Sequence, residues 1–168
     1  MTSQDPLYDA DRLQEIADLE LLSPEIDPIL AGIADEAAAR LGLPVSLISV
    51  VLDEALYVAG SHGIDGLWLG ETRGHPVEWS FCATSVRTRD AFVVESAEKD
   101  PTHSTNPLVT LDGVRCYAGV PMISSRGHVL GNLCVVGLEE HTFSEEDIAT
   151  LHGLAREAVR RIEARRKA

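Results

Sequence analysis

The stretch VRCYAGVPMISSRGHVLGNLCVV, Val114 to Val136, decides the architecture. Two apolar runs, Val114–Ile123 and His128–Leu138, flank a Ser-Ser-Arg-Gly turn at Ser124–Gly127. Apolar, β-branched runs bounded by such a turn predict an antiparallel hairpin, here at the centre of a sheet. Each run carries one cysteine, Cys116 and Cys134, and the thiols are either packing or chemistry.

Working towards the N-terminus, AFVVES predicts another strand. FCATSVRT after Ser80 reads as a short helix that Ser80 caps. VSLISVVL (Val45–Leu52) is nearly all apolar and predicts a buried strand, joined by Asp53-Glu54 to a return strand beginning LYVAG. Leu13, Ile16 and Leu19 space a first amphipathic helix over Ala10–Leu22. A second begins at Ser23-Pro24, with Ile26, Leu30, Ile33, Ala37 and Leu41 on one face and Gly42 as its stop. Towards the C-terminus, SEEDIATLHGLAREAVRRIEARRKA carries a Ser144/Asp147 capping box and an apolar face of Ile148, Leu151, Leu154, Ala155, Ala158, Val159 and Ile162. Two loops are long: His62–Ser80, rich in glycine, and AEKDPTHSTNPLVTLDG, with one helical turn near Pro107–Leu111. Terminal helices around an interrupted sheet predict an α+β or α/β sandwich.

The 168 residues make one domain of ordinary size, and 45% hydrophobic content makes it globular. Twenty-seven acidic against 14 basic residues leave a formal charge of -13, which opposes binding to nucleic acid and to anionic membrane surfaces. Six of the basic residues sit in the last helix, where they complement its dipole. MTSQDPLYDADRLQ lacks the charged and apolar regions of a signal peptide, and no apolar run is long enough to span a bilayer. Three widely spaced cysteines are no disulfide framework, so a cytoplasmic location is expected.

The ordered phrases LGLPVSLISVV, WSFCATSV, FVVESAEKDPTHSTNPLV, VRCYAGVPM, GHVLGNLCVV and FSEEDIATLHGLA resemble a GAF domain over about Arg12–Arg160. The resemblance implies an α+β fold, with a flexible N-terminus at 1–9 and one domain over 10–168. A central antiparallel sheet would have the terminal helices on one face and a pocket of loops and short helices on the other. It further implies a sensory module in signal transduction that binds a small molecule of unknown identity. Such a module pairs as a homodimer through its terminal helices and acts on an output protein such as a kinase or cyclase. With Ala168 following the long helix, the chain reads as either a stand-alone sensor or part of a longer protein. Ligand-free dimerisation modules occur in the same family, and no cofactor is identified.

The pocket candidates are residues of the two loops, of the short helix that follows the first and of the strand that follows the second. Trp68, Trp79 and Phe81 can stack on a flat ligand or anchor the loop to the core. Arg73 and His75 offer polar contacts. Asp100, His103 and Asn106 either face the ligand or form Asx-turns. Arg115 and Tyr117 alternate with Cys116, so they share the face opposite to it. Placing that shared face on the pocket side makes Arg115 a charge and Tyr117 a hydrogen-bonding group there. Cys134 reads as core packing, while Cys82, at a helix N-terminus, and Cys116 are the doubtful thiols. The main alternative function is a thiol-redox enzyme resembling free methionine sulfoxide reductases. Cys82 resembles one position of that group, yet its IACDxxS phrase has no match and Gly137 stands where an acid is expected. Haem or metal ligation has no supporting His/Cys spacing, and Cys116-Tyr117 only superficially resembles a bilin-attachment pair. No Ser-His-Asp order, P-loop or carboxylate pair is present, so a catalytic residue is not assigned.

Overall fold

The computed structural model describes residues 6–23, 25–64, 74–76, 81–100, 106–110 and 112–167. Six strands form one antiparallel sheet. They are β1 (Val45–Val51), β2 (Ala55–His62), β3 (Gly74–Pro76), β4 (Phe92–Val94), β5 (Cys116–Ile123) and β6 (Val129–Gly137), in the order β3-β2-β1-β6-β5-β4. The hairpin that opened the sequence reading is β5–β6. Every residue of β1 and β6 is buried, as nearly continuous apolar runs require of strands covered on both sides.

On one face, called the back, lie α1 (Ala10–Asp18), α2 (Ile26–Leu41) and α5 (Glu145–Lys167). Ile26, Leu30, Ile33 and Ala37 of α2, with Leu151, Ala155, Ala158 and Ile162 of α5, pack on Ile48, Val50, Ala118, Val120, Leu133 and Val135. The opposite, front face is covered by α3 (Cys82–Thr88), α4 (Pro107–Thr110), a 3₁₀ turn at Pro6–Tyr8 and Ile64. Its core joins Leu47, Val51, Val58, Tyr117, Cys134 and Val136 of the sheet to Leu7, Phe81, Cys82, Val86 and Leu108. The chain is therefore α+β, with its long helices on the back alone.

Local signals place several helix ends, but α2 starts at Ile26 with Glu25 at its cap position, beyond the expected Ser23-Pro24 start, and α3 has Phe81 at its cap position, neither with a side-chain cap. Asp147 N–H donates to Ser144 Oγ at 3.0 Å and Ser144 N–H to Asp147 Oδ2 at 3.0 Å, closing the capping box of α5. Gly42 ends α2 in the left-handed region, φ 69°, where an L side chain is strained. The first helix is shorter than its spacing predicts, because Glu20 turns left-handed, φ 54°, just beyond it. The glycine-rich loop His62–Ser80 also contributes β3, which pairs Gly74, His75 and Pro76 with Tyr57, Leu56 and Ala55.

The buried face of α1 is the main surprise. Ile16 and Leu19 point inward as expected, but so do Arg12, 3% exposed, and Glu15, 1% exposed. Arg12 Nη1 donates to the carbonyls of Val51 at 2.6 Å and Val129 at 3.1 Å, and Nη2 to that of Leu7 at 2.9 Å. The guanidinium thus closes the open ends of β1 and β6. Glu15 Oε1 accepts from Ser124 Oγ and faces His128 Nδ1, each at 2.7 Å, tying α1 to the β5–β6 turn.

Candidate functional site

The front core is apolar except at its centre, where a short polar chain crosses it. Tyr117 rises from β5 with its ring stacked on Phe81, centroids 5.0 Å apart, and tilted against Phe92 at 6.0 Å. Its phenol oxygen lies 3.0 Å from Asn132 Oδ1 and 3.2 Å from Cys82 Sγ. A phenol has one proton and an amide oxygen only accepts. The phenol therefore donates to Asn132, and the Cys82 thiol donates to the phenol.

Strand register explains the reach. Tyr117 stands opposite Val136, and Asn132 stands opposite Pro121, with Gly119 opposite Cys134 between them. The phenol must run along the strand over Gly119. A Cβ there would meet the Tyr117 hydroxyl and come within 2.7 Å of Asn132 Oδ1. Gly119 is what lets the ring lie down on the sheet.

The electrostatics keep this centre neutral. Burial pushes the Tyr117 phenol well above its ordinary range, and the neighbouring Cys82 and Cys134 add to the effect. Burial also pushes the Cys134 thiol well up; contact with Cys82 raises it further, while the Leu47 backbone and Tyr117 offset part of it. Both groups disfavour the charged form for the same reason: a buried anion loses its hydration.

This has a consequence for stability at alkaline pH. The folded chain keeps both protons, whereas the unfolded chain releases them from about pH 8.5 at the thiol and about pH 10 at the phenol. Above those values the unfolded state binds fewer protons, so stability falls as pH rises. The contribution is complete below the unfolded pKa values and is lost as pH climbs towards the raised folded ones. Unfolding free energies from urea titrations at pH 7 to 10.5 are expected to drop by up to about 1.4 kcal/mol per pH unit for each group. Tyr117→Phe removes the phenol's share, and a flat profile for the unmodified chain would refute the burial argument.

The other candidates are dispersed. Cys116 is fully buried on the back-facing side of β5, with Ala118 and Val120, beside Gly137. Burial raises its thiol, and the Gly137 backbone offsets part of that rise. Cys82 and Cys116 are consequently on opposite faces of the sheet and form no thiol pair. Cys134 lies in the front core with Cys82. Arg115 precedes β5, and its guanidinium turns to the carbonyls of Val109 at 3.1 Å and Val114 at 3.0 Å. Asn106 accepts from Leu108 N–H at 2.9 Å, an Asx-turn that starts α4. Asp100 is half-buried just after the 3₁₀ turn Ala97–Lys99. His75 contributes backbone to β3. Trp68, Arg73, Trp79 and His103 lie outside the described residues.

Sequence reasoning missed Asn132 and Ser85. Both are fully buried, yet Asn132 Nδ2 and Ser85 Oγ have no hydrogen-bond partner among the described residues. Asn132 left a legible signal, since it is a polar residue inside the apolar run VLGNLCVV. Buried amides and hydroxyls are rarely left open, because each costs about 1–3 kcal/mol unmet.

Comparison with known proteins places this architecture. A family model for the GAF domain matches residues 24–163. A cyclic di-GMP phosphodiesterase of Pseudomonas aeruginosa is 32% identical over 146 residues, covering 86% of this chain and 24% of that protein. The chain thus spans about a quarter of the length of that relative. Among solved structures, free methionine-R-sulfoxide reductase from Neisseria meningitidis superposes with a TM-score of 0.69 at 20% identity, over 99% of this chain and 95% of that one. The GAF domain of a phosphoenolpyruvate-protein phosphotransferase from Coxiella burnetii gives 0.69 at 18% identity, over 94% of each. At such identities the two structures speak for the fold alone. With the sequence match spanning most of its length and the sheet-and-helix arrangement in agreement, the chain belongs to the GAF domain family of sensory signalling modules.

Proposed function

We propose that this domain senses a small molecule on the front of its sheet and passes the change to its terminal helices, through which two copies pair. The observation that carries the reading is the polar chain Cys82–Tyr117–Asn132 at the centre of a largely apolar face. A core that needed only packing has no use for it, whereas a recognition surface needs a few placed polar groups among apolar ones. The front is covered by short elements, and the long helices α2 and α5 lie together on the other side, available for relay. The Pseudomonas relative favours an output partner that turns over cyclic di-GMP, within the same chain or bound to it, over the kinase or cyclase that the family resemblance suggests.

A metabolite panel read by thermal shift, with native mass spectrometry of the hits, tests this. A ligand at 100 times its Kd is expected to add about 2.7 kcal/mol of stability. Native spectra should show a dimer carrying the ligand at one copy per subunit. A monomer at all accessible concentrations removes the paired-helix relay, and a broad panel without any shift removes the sensor.

A further inference from the structure

The unmet donors say what kind of molecule belongs there. Asn132 spends its amide oxygen on the Tyr117 phenol, which leaves its two N–H groups. Ser85, one helical turn beyond Cys82 on α3, has a hydroxyl with no partner among the described residues. Both residues are wholly enclosed. Beside Asn132 the Tyr117 phenol is held neutral, as is Cys134 in the same core, and Arg115 donates to the Val109 and Val114 carbonyls. A charged ligand there would lose its hydration without a counter-charge among the described residues.

Resting on the front-face reading above, we infer that the site takes a compact uncharged molecule whose hydrogen-bond acceptors, such as a lactam or amide carbonyl, meet Asn132 Nδ2 and Ser85 Oγ. The seat of that molecule is the side-chain-free ground over Gly119, which the Tyr117 phenol now covers. Entry therefore requires the ring to swing away from Gly119. Closed and open states of the ring then compete, and the apparent affinity is lowered by the fraction of time the ring is down.

The test uses the whole chain with four probes: 2-piperidone as the neutral acceptor, acetate and methylammonium as charged controls, and toluene as an apolar one. Binding is followed through the backbone amide resonances of β5, β6 and α3 in every variant, and through the Asn132 side-chain NH₂ resonances wherever that residue is kept. 2-Piperidone is expected to move those resonances and to bind at least about tenfold more tightly than either ion, a difference worth about 1.4 kcal/mol. Ser85→Ala and Asn132→Leu should each weaken it severalfold. Tyr117→Leu, which keeps an apolar side chain but no phenol, should tighten it by about tenfold because the competing ring is gone. Ions binding as well as the lactam, or lactam binding indifferent to both donor substitutions, overturns the ligand class. Toluene entering Tyr117→Leu while the lactam does not keeps the site but overturns its polarity. Exclusion of every probe from Tyr117→Leu overturns the site itself; Ser85→Ala, a one-atom deletion, guards against a variant that does not fold.

Discussion

Gly131→Ala is expected to lower the unfolding free energy by about 3 kcal/mol, at the upper end of what overpacking costs. Gly131 sits in β6 between Val50 of β1 and Met122 of β5. A Cβ there would run into the Ser49 carbonyl oxygen, with the Ser49 carbonyl carbon at 2.9 Å and Val50 Cα at 3.1 Å. All three are backbone atoms, so no rotamer change relieves the contact. β1 must move off β6 instead, at the pair of strands that both cores share. Against a typical total of 5–15 kcal/mol, that is a large share. Gly32→Ala is the control. Gly32 lies inside α2, nothing stands within 4 Å of its would-be Cβ, and alanine should stabilise the helix by up to about 1 kcal/mol. Chemical denaturation of the two variants side by side checks both signs, and equal midpoints would remove the argument from close backbone approach.

Arg12→Ala should cost about 3–5 kcal/mol, the range for removing one partner from a buried charged network. An arginine near the start of a chain is ordinarily a surface residue whose loss stays within about 0.5 kcal/mol. Here its guanidinium is the donor to the carbonyls of Leu7, Val51 and Val129. Truncation leaves three buried acceptors and takes away the cation one turn from the buried carboxylate of Glu15. Arg12→Lys should recover only part of the loss, since an ammonium cannot present the planar fork that serves three carbonyls at once. Urea unfolding gives the global value. Hydrogen exchange should show α1 losing protection before β1 and β6 do, because the residue anchors that helix to their ends. A cost below about 1 kcal/mol would mean that the three carbonyls find other donors.

Much of this molecule was readable along the chain. The apolar runs of β1, β5 and β6 were long enough to give both existence and pairing, because hairpin partners are close in sequence and their turns carry their own signals. The α5 capping box and the Gly42 stop are likewise local devices, and the structure uses both as read. Alternation correctly put Tyr117 and Cys116 on opposite sides of one strand. The front loops are another matter. Arg115, two residues before Tyr117, donates to the Val109 carbonyl of α4, and Asn106 accepts from Leu108 N–H in its own turn, contacts that alternation along the chain does not reveal.

What the chain order alone determined was most of the elements, though not β3 or the Pro6–Tyr8 turn, together with the antiparallel hairpins and the family, since each rests on periodicity or on phrases a few residues long. Only the tertiary structure decided which side chains meet. Arg12 and Glu15 look like the polar face of a helix until the ends of β1 and β6 present them with carbonyls and a hydroxyl. Asn132, Tyr117 and Cys82 come from two strands and a helix, brought close by the β5–β6 register and the packing of α3. Periodicity tells a residue which way it faces relative to its neighbours in sequence. What waits on that side is set by segments tens of residues away, and a buried polar group acquires meaning only from them.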